Sequence, residues 1–378
     1  MKFTLSKQRF ILAAMLLVAV MAFISCDNDN GPQYESGNLI TWDVVTTDIP
    51  VGRALIDKNE ELNLACSTGK SIGIKSSYIL DGKVSQNVLG NPDGDVSLTY
   101  SKTPTTEHLN GWSYGKTAAY WELGAKYTFN AYYPMDITKN GNDITTSDNS
   151  PFVIRHNAKY NQEDLMMTYA TVNTESNSFS TSSPVVLKMQ HMLSALTFRF
   201  SFQNRDNTTF AATDTLTAFS LKNTESNKGI YTYGKLEFGI YNADGTLNGD
   251  SIHWTNISGA VSPGEKIYEW TGISPMTSTT GTVQTGGVLN YAIPYSSGNY
   301  SDNDTFILLI PQEIDGTTQV CYQLKSTDNT EHNFILPNIT YLPGKRYHYD
   351  IHISSTDIEV SLTIADWNKR YSSVIITP

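Results

Sequence analysis

Several short motifs in this chain combine residue types that could do chemistry. Gly111 to Gly115 spells Gly-Trp-Ser-Tyr-Gly, a pattern that can expose a nucleophilic serine on a strained turn between a buried strand and a helix. The preceding residues, 101–110, are polar and contain Pro104, so the required strand is not predicted. Gly69-Lys70-Ser71 resembles the end of a phosphate-binding loop, but Leu64 stands where its first glycine is needed. The sequence therefore predicts neither an enzyme nor a nucleotide cofactor.

A histidine–aspartate triplet is the remaining candidate for chemistry. His348, Asp350 and His352 lie on one face of a strand if the period is two. Steps of about 6.6 Å between such side chains suit a solvated strand face better than a tight tetrahedral site. His191 has no carboxylate or cysteine at ligand spacing, which favours a structural histidine. No metal ligand is predicted.

The N-terminal segment has the pattern of an export signal that ends at a modifiable cysteine. A basic start precedes an apolar stretch at 10–24, which is too short for a comfortable transmembrane helix. Phe23-Ile24-Ser25-Cys26 resembles a bacterial lipobox, in which the cysteine thiol receives diacylglycerol. We therefore expect a lipoprotein signal peptide at 1–25 and lipidation of Cys26. An ordinary secretory signal with an incidental cysteine is the alternative.

The residues after this cysteine suggest where the protein is sent. Asp27 to Gly31 is similar to the export signals that direct lipoproteins of the Bacteroidetes to the cell surface. A solvated acidic linker over 26–36 would have the same composition. Two or three acyl chains on Cys26 would suffice for stable membrane attachment. The expected location is the cell outer membrane, with the body of the protein exposed at the surface.

Charge and composition restrict the partners and the fold class. The formal net charge of −11 repels phosphate backbones, so nucleic acid is not an expected partner. Abundant Thr, Tyr, Asn and Gly favour strands and turns over helices. Cys66 and Cys321 lie far apart in the chain and do not make a disulfide framework, so we expect two buried, separate thiols.

Turn motifs such as Asp81-Gly82 and Asp315-Gly316 recur roughly every 8–12 residues, which is the rhythm of a sandwich or barrel. Apolar and polar residues alternate between them, as in half-buried strands. Short helices are possible at 116–123 and 161–168. The fold class is therefore all-β. The predicted strands are 39–45, 127–133, 185–189, 196–202, 235–240, 306–310 and 360–364.

A polar stretch, Gln203 to Thr209, divides the chain into halves of similar size and is the expected domain boundary. The expected domains are therefore 37–204 and 205–378, preceded by the signal peptide and the acidic linker.

Ordered landmarks along the chain resemble those of the fimbrillin family. Trp121 to Pro134, Asp164 to Met167 and Val186 to Leu196 are similar to landmarks of the N-terminal domain. Leu342 to Ile351 and Ile364 to Trp367 are similar to landmarks of the C-terminal domain. The resemblance implies two tandem β-sandwich domains of transthyretin-like topology. It also implies a shaft, tip or anchor component of a fimbrium that mediates cell adhesion and has other fimbrial subunits as partners.

The resemblance further implies an assembly mechanism. In fimbrillins a trypsin-like protease removes the first strand of the N-terminal domain, and a strand of another subunit fills the groove. Here that strand would bury Ile40, Trp42 and Val44, and cleavage after Arg53 would leave Ala54 as the new N-terminus. The alternative is that Arg53 is an ordinary surface charge and the first strand is permanent, as would suit a tip or an anchor.

The donor strand is expected in the C-terminal tail. Its apolar residues are Val374, Ile375 and Ile376, which are barely enough for a strand of typical length, about five to six residues. The sequence does not identify the host or bacterial surface ligand.

Carbohydrate enters the analysis as a modification and as a ligand. Asp214-Thr215-Leu216 and Asp250-Ser251-Ile252 resemble the O-glycosylation signal of the Bacteroidetes, with Thr215 and Ser251 as acceptors in polar, turn-like surroundings. Coincidence in a chain rich in Ser and Thr is the alternative. The second function class is a non-polymerising surface glycan-binding lipoprotein. In it, Trp112, Trp254 or Trp270 would stack on sugar rings.

The lipid anchor can be tested directly. Cys26→Ala should release the protein from the membrane fraction, because the acyl chains supply the attachment energy. Ser25 and the apolar stretch are unchanged in this variant, so export itself should persist. Membrane fractionation followed by immunoblotting measures the distribution, and retention of the variant in the membrane would contradict lipoprotein status.

Overall fold

The computed structural model describes residues 39–46, 59–90, 95–103, 110–114, 119–137, 143–145, 152–159, 162–203, 216–241, 247–260, 262–271, 277–278, 281–282, 284–285, 288–293, 307–324, 329–354, 358–366 and 372–374. Strands dominate these residues, which confirms the all-β prediction. Each strand expected from alternation coincides with an observed strand. Within the described part, no helix is both long and apolar enough to cross a bilayer.

The helix of the described residues, α1 (Asn59–Ser67), lies where none was expected. Glu60 and Glu61 occupy its first turn, where acidic side chains stabilise the helix dipole. Leu62 and Cys66, one turn apart, are its buried residues. The described residues of the two stretches considered as short helices are not helical, since a strand begins at Met166 and residues 162–165 and 119–123 have no helical structure.

An eight-stranded sheet forms the N-terminal part of the protein, in the order β1-β10-β9-β6-β2-β4-β5, with β3 paired to β2. The Asp81-Gly82 turn joins β2 to β3, and both residues have positive φ, which Asp and Gly tolerate in a tight hairpin. The strands are β1 (Trp42–Thr46), β2 (Ile72–Leu80), β3 (Lys83–Gln86), β4 (Val96–Tyr100), β5 (Trp112–Tyr114), β6 (Lys126–Tyr133), β9 (Met166–Asn173) and β10 (Val185–His191).

The inward side chains of this sheet, together with Leu62 and Cys66 of α1, make one N-terminal core. Aromatic rings dominate its centre and meet edge to face, an arrangement that is favourable beyond the burial of their area. Because every strand of the sheet except β3 contributes to this single core, the sheet curls round it. Its aromatic members include Trp42, Trp112, Trp121, Tyr127 and Phe129.

A second core lies between a seven-stranded sheet, ordered β18-β19-β11-β25-β26-β27 with β20 paired to β11, and a four-stranded sheet, ordered β15-β12-β22-β23. This C-terminal core contains Phe198, Phe219, Tyr322, Tyr347 and Tyr349, and it gives the pair of sheets the character of a sandwich. The strands are β11 (Ser194–Gln203), β12 (Leu216–Asn223), β15 (Lys266–Thr271), β18 (Gln284–Thr285), β19 (Val288–Ile293), β20 (Ile307–Leu309), β22 (Thr318–Leu324), β23 (Glu331–Ile335), β25 (Lys345–Ser354), β26 (Ile358–Asp366) and β27 (Ser372–Val374).

The remaining strands form a four-stranded sheet, ordered β14-β13-β8-β7, and two short pairs, β16-β17 and β21-β24. In the larger sheet β8, from the first half of the chain, pairs with β13 from the second half. The strands are β7 (Asp143–Thr145), β8 (Phe152–Asn157), β13 (Tyr231–Tyr241), β14 (Leu247–Ala260), β16 (Thr277–Ser278), β17 (Gly281–Thr282), β21 (Gln312–Ile314) and β24 (Ile339–Tyr341).

β11, the last strand before the expected domain boundary, pairs with strands from the second half of the chain. β11 runs parallel to β25 from Ala195↔Arg346 to Gln203↔Ser354, and its inward side chains belong to the C-terminal core. The expected boundary lies outside the described residues, but the strand before it packs with the second half of the chain. The change from one sheet to the next occurs between His191 and Ser194. The number of domains stays a prediction.

A central cluster links the two halves of the chain and holds a histidine in an unusual setting. Ile154 and Leu193 from the first half pack with Leu236 and Ile310 from the second. His156 of β8 is fully buried beside Trp254, and neither ring nitrogen has a hydrogen-bond partner among the described residues. Burial lowers the pKa of His156 from 6.5 to about 4.

This histidine should make stability depend on pH. The neutral ring is favoured in the folded state, so its contribution is complete above the unfolded pKa of about 6.5 and is lost as pH falls towards about 4. Over that interval the loss should amount to about 3 kcal/mol. Urea unfolding at neutral pH and at pH 4.5 should show this loss reduced in His156→Leu. It should persist in the control His253→Leu, which changes an exposed histidine of β14. An unchanged pH dependence in His156→Leu would contradict the assignment.

Candidate functional site

The candidate site is the groove that β1 occupies at one edge of the first sheet. β1 runs parallel to β10 in a continuous register from Trp42↔Val185 to Thr46↔Met189. Before this ladder begins, the Val185 N–H donates to the Thr41 carbonyl oxygen at 2.8 Å. β10 pairs with β9 only at its end, through Gln190 and His191. The segment 185–189 therefore has β1 as its strand partner in the described structure.

The opposite side of β1 faces β5 and the residues that follow it. The Ile40 N–H donates to the Ala119 carbonyl oxygen at 2.9 Å, and Leu39 makes an isolated antiparallel bridge with Tyr120. The Asn110 Nδ2 donates to the Trp42 carbonyl oxygen at 3.3 Å. β1 therefore closes the gap between the two ends of the sheet, with a full ladder on one side and scattered hydrogen bonds on the other.

Alternate side chains of β1 and of the residue pair just before it fill the N-terminal core. Ile40, Trp42 and Val44 are 1%, 1% and 3% exposed. The Trp42 ring meets Phe129 at 5.1 Å and Tyr114 at 5.9 Å between centroids, both edge to face. Burying each such side chain contributes roughly 1.5–3 kcal/mol, so apolar contact is the main attraction that holds β1.

Tyr114 is the polar residue that ties β1 to its neighbours. Its hydroxyl accepts from the Ala119 N–H at 2.9 Å and lies 3.3 Å from the Ile40 carbonyl oxygen, to which it can donate. Burial raises the pKa of Tyr114 to about 12, although the hydrogen bond with Ala119 acts in the opposite direction. The hydroxyl therefore stays protonated and can serve as donor and acceptor at once.

The far end of β1 is held by α1. The Thr46 N–H and hydroxyl both donate to Asn59 Oδ1, at 2.7 and 3.0 Å. Asn59 is the first residue of α1, so the helix fixes the point where the strand leaves the groove. The processing site expected at Arg53 and Ala54 lies between these two elements and outside the described residues.

The other expected modification and assembly residues are placed only in part. Cys26 and Thr215 lie outside the described residues. Ser251 lies within strand β14 rather than in the turn-like surroundings expected for it. Val374 belongs to β27 and pairs with Leu362 of β26, whereas its neighbours Ile375 and Ile376 lie outside the description. The expected donor tail thus begins with a strand that already has a partner.

The motifs considered for catalysis and phosphate binding have structural surroundings. Ser113 lies in the middle of strand β5, opposite Thr99, and not on a turn between a strand and a helix. Lys70 binds two carboxylates, Glu163 at 2.5 Å and Asp136 at 3.3 Å.

The histidines considered as metal ligands are hydrogen-bonded. His348 Nδ1 lies 2.6 Å from the Thr197 hydroxyl, and its Nε2 lies 3.2 Å from Asp350 Oδ1. Burial acts to raise the pKa of Asp350, but the hydrogen bond and charge of His348, with a smaller effect of Arg199, lower it overall. His191 is buried against Asp164, with 3.0 Å between Nδ1 and Oδ2. The described residues contain no group of three or more His, Cys, Asp or Glu side chains placed to hold a metal.

Trp112 and Trp254, the two of the three tryptophans considered for glycan stacking whose side chains the structure describes, do not form an open platform. Trp112 is buried in the N-terminal core against Tyr100, with 5.2 Å between centroids. Trp254 is half-buried and donates from Nε1 to the Met192 carbonyl oxygen at 2.8 Å. Trp270 belongs to strand β15, but its side chain lies outside the description.

Cys66 and Cys321 are free and buried, as expected. Burial raises the pKa of the Cys66 thiol to about 12 and that of the Cys321 thiol to about 11, so both remain protonated at neutral pH. Because the thiolate is the reactive form, neither cysteine has the properties of a nucleophile.

Comparison with known proteins identifies the family. A sequence profile described as fimbrillin-like matches residues 70–367. The chain belongs to the fimbrillin-like family. The match starts after β1 and α1, so the strand in the groove precedes the matched region. A search of curated proteins found no match.

One solved structure supports the fold of this fimbrillin-like chain, and two others are similar to it. A fimbrial protein from Bacteroides vulgatus superimposes with a TM-score of 0.53 at 15% identity, covering 88% of this chain and 100% of that one. Candidate cell adhesion proteins from Bacteroides uniformis and Bacteroides ovatus give TM-scores of 0.44 and 0.46, each at 14% identity. Coverage is 87% of this chain and 98% of the first protein, and 88% of this chain and 98% of the second.

The residues that hold β1 from outside its own sequence were not predicted. Asn59, Asn110 and Tyr114 reach the strand through contacts that join distant parts of the chain. The alternation of Trp112 and Tyr114 around Ser113 did carry a usable pattern, because two aromatic residues two positions apart indicate a half-buried strand.

Removing the hydroxyl of Tyr114 should lower the stability of the folded protein. Tyr114→Phe leaves the buried Ala119 N–H and Ile40 carbonyl without this partner, at an expected cost of about 1–3 kcal/mol in the free energy of unfolding. The control is Tyr100→Phe on the adjacent strand β4, where no hydroxyl hydrogen bond is present among the described residues. Denaturant unfolding followed by tryptophan fluorescence compares the two. Equal stability of both variants would contradict the role given to Tyr114.

Proposed function

We propose that this fimbrillin-like chain is a surface-anchored fimbrial subunit that accepts a strand from another subunit in the groove now filled by β1. Family membership implies assembly with other fimbrial subunits and a place in a surface fimbrium. The observation that carries the finer proposal is the position of β1, a sheet-edge strand. Its inward residues Trp42 and Val44, with Ile40 just before it, fill the core.

The geometry favours removal of β1 over removal of any inner strand. β1 has its ladder on β10 alone, so its departure leaves the pairing among β9, β6, β2, β4 and β5 intact. Loss of the strand exposes the backbone of 185–189 together with an apolar cleft. A donor strand satisfies both at once by hydrogen-bonding to the open edge and burying alternate side chains.

Cleavage between β1 and α1 would separate the strand from the body without touching either element. In the proposal the protease cuts after Arg53, and Ala54 becomes the N-terminus of the processed subunit. Asn59 lies close beyond the cut, and its hydrogen bonds with Thr46 are the polar contacts that the released strand loses at this end.

The remaining parts of the proposal concern location and modification. Acylation of Cys26 anchors the chain in the outer membrane before processing, and Thr215 and Ser251 are acceptors for O-linked sugar. The tail residues Val374, Ile375 and Ile376 are the proposed donor segment, but Val374 already pairs within the C-terminal sheet. An acceptor at the tip or base of a fimbrium is therefore supported better than a shaft subunit that also donates.

Limited trypsin digestion of the folded protein tests the processing step. The expected result is a stable product whose N-terminal sequence begins at Ala54, identified by mass spectrometry and Edman degradation. Arg53→Gln is the matched control and should abolish that product while leaving cleavage elsewhere unchanged. Resistance at Arg53 under conditions that cut other basic sites would contradict processing there and would leave β1 as a permanent strand.

A further inference from the structure

We propose that the groove selects a donor strand with a large aromatic residue between two aliphatic ones, in the order aliphatic–x–aromatic–x–aliphatic, and that the tail of this chain is not its ligand. This inference rests on the proposed strand exchange and adds the chemistry of the partner. The occupant is a strand of another fimbrial subunit. The complementarity is visible directly, because β1 itself fills the groove with Ile40, Trp42 and Val44.

The middle position of the groove is built for a ring. Trp42 is 1% exposed and lies between Phe129 and Tyr114, each meeting it nearly at right angles. An aliphatic side chain in this position would leave part of the space empty and lose both edge-to-face contacts. Proteins tolerate such large-to-small changes poorly, since the surroundings relax only in part.

The same position recognises shape rather than polarity. Trp42 Nε1 is buried and has no hydrogen-bond partner among the described residues. The site therefore contributes nothing that specifically requires the indole N–H, and phenylalanine should occupy it with little loss. An aromatic hydrocarbon ring, flanked two residues away on each side by an aliphatic side chain, satisfies the whole apolar face.

The polar contacts fix the direction and register of the donor. They also favour a strand parallel to β10, because that is the ladder the edge now makes. A carbonyl at the aromatic position accepts from Asn110, and a carbonyl two residues earlier meets the Tyr114 hydroxyl. The N–H four residues after the aromatic position donates to Asn59.

The tail does not match this pattern. Val374, Ile375 and Ile376 contain no aromatic residue, and alternate positions around them are occupied by Ser372, Ser373 and Thr377. The nearest aromatic residue, Tyr371, has Lys369 and Ser373 at the positions where aliphatic side chains are needed. β27 is also engaged with β26, so donating it would break an existing ladder. A second copy of this chain is therefore a poor donor through its tail.

Peptide displacement from a nicked protein tests the selectivity. The full chain, with a site-specific protease sequence in place of residues 50–53, is cut once and retains its first strand by non-covalent contact. Competing peptides then carry residues 38–47 as they stand, the same with Trp42→Phe, the same with Trp42→Ile, and residues 370–378. The Phe peptide should displace the labelled strand within about tenfold of the natural peptide, whereas the Ile and tail peptides should be weaker by at least about 30-fold.

The outcomes distinguish the aromatic selectivity from the strand-exchange proposal on which it rests. Displacement by the Ile peptide or the tail peptide at the concentration of the natural one overturns the aromatic selectivity while leaving strand exchange in place. Failure of the natural peptide to displace its own sequence overturns strand exchange itself.

A measurement on the uncut chain covers the case in which the nicked protein unfolds. Hydrogen exchange of amides 42–46 should stay slow in Trp42→Phe and become at least about tenfold faster in Trp42→Ile. Equal protection in the two variants would overturn the inference without any cleavage.

Discussion

Closure of the first sheet round its aromatic core is the constraint on which the N-terminal architecture depends. A curled sheet has two edges, and unpaired edges with apolar side chains behind them are unstable in water. β1 pairs with the open edge of β10, and it covers the apolar core by burying Trp42 against Phe129 and Tyr114. The rest of the core, from α1 to β10, is arranged so that this one strand completes it.

The same closure is compatible with the proposed removal of β1 from an otherwise stable fold. β1 pairs in parallel with a strand far along the chain, so no short hairpin ties it to its neighbour. Its hydrogen bonds on the other side come from isolated groups such as Asn110 and Tyr114. The contribution of β1 is mainly apolar burial, which another strand with similar side chains can supply. Assembly through this groove would therefore preserve the sheet and change only the source of one strand.

Alternation in the sequence was enough to predict seven of the strands, and the buried face of β1, because burial on one side of a sheet imposes a period of two. It could not predict α1, whose buried residues are only Leu62 and Cys66 in an otherwise polar segment. It also could not show which strand lies beside β11, since the pattern of β11 does not reveal that its partner is β25. The sequence analysis also did not predict the roles of Asn59, Asn110 and Tyr114. Their contacts with β1 arise only from the folded topology.

The central claim is that β1 opens as a unit of its own while the remaining sheet stays folded. Native-state hydrogen exchange at increasing low denaturant measures the free energy of opening for each segment. The account predicts that amides 42–46 exchange through an opening of lower free energy than those of β6, with a smaller dependence on denaturant. If amides 42–46 and β6 instead open with the same free energy and the same denaturant dependence, β1 leaves only on global unfolding. That result would contradict the claim.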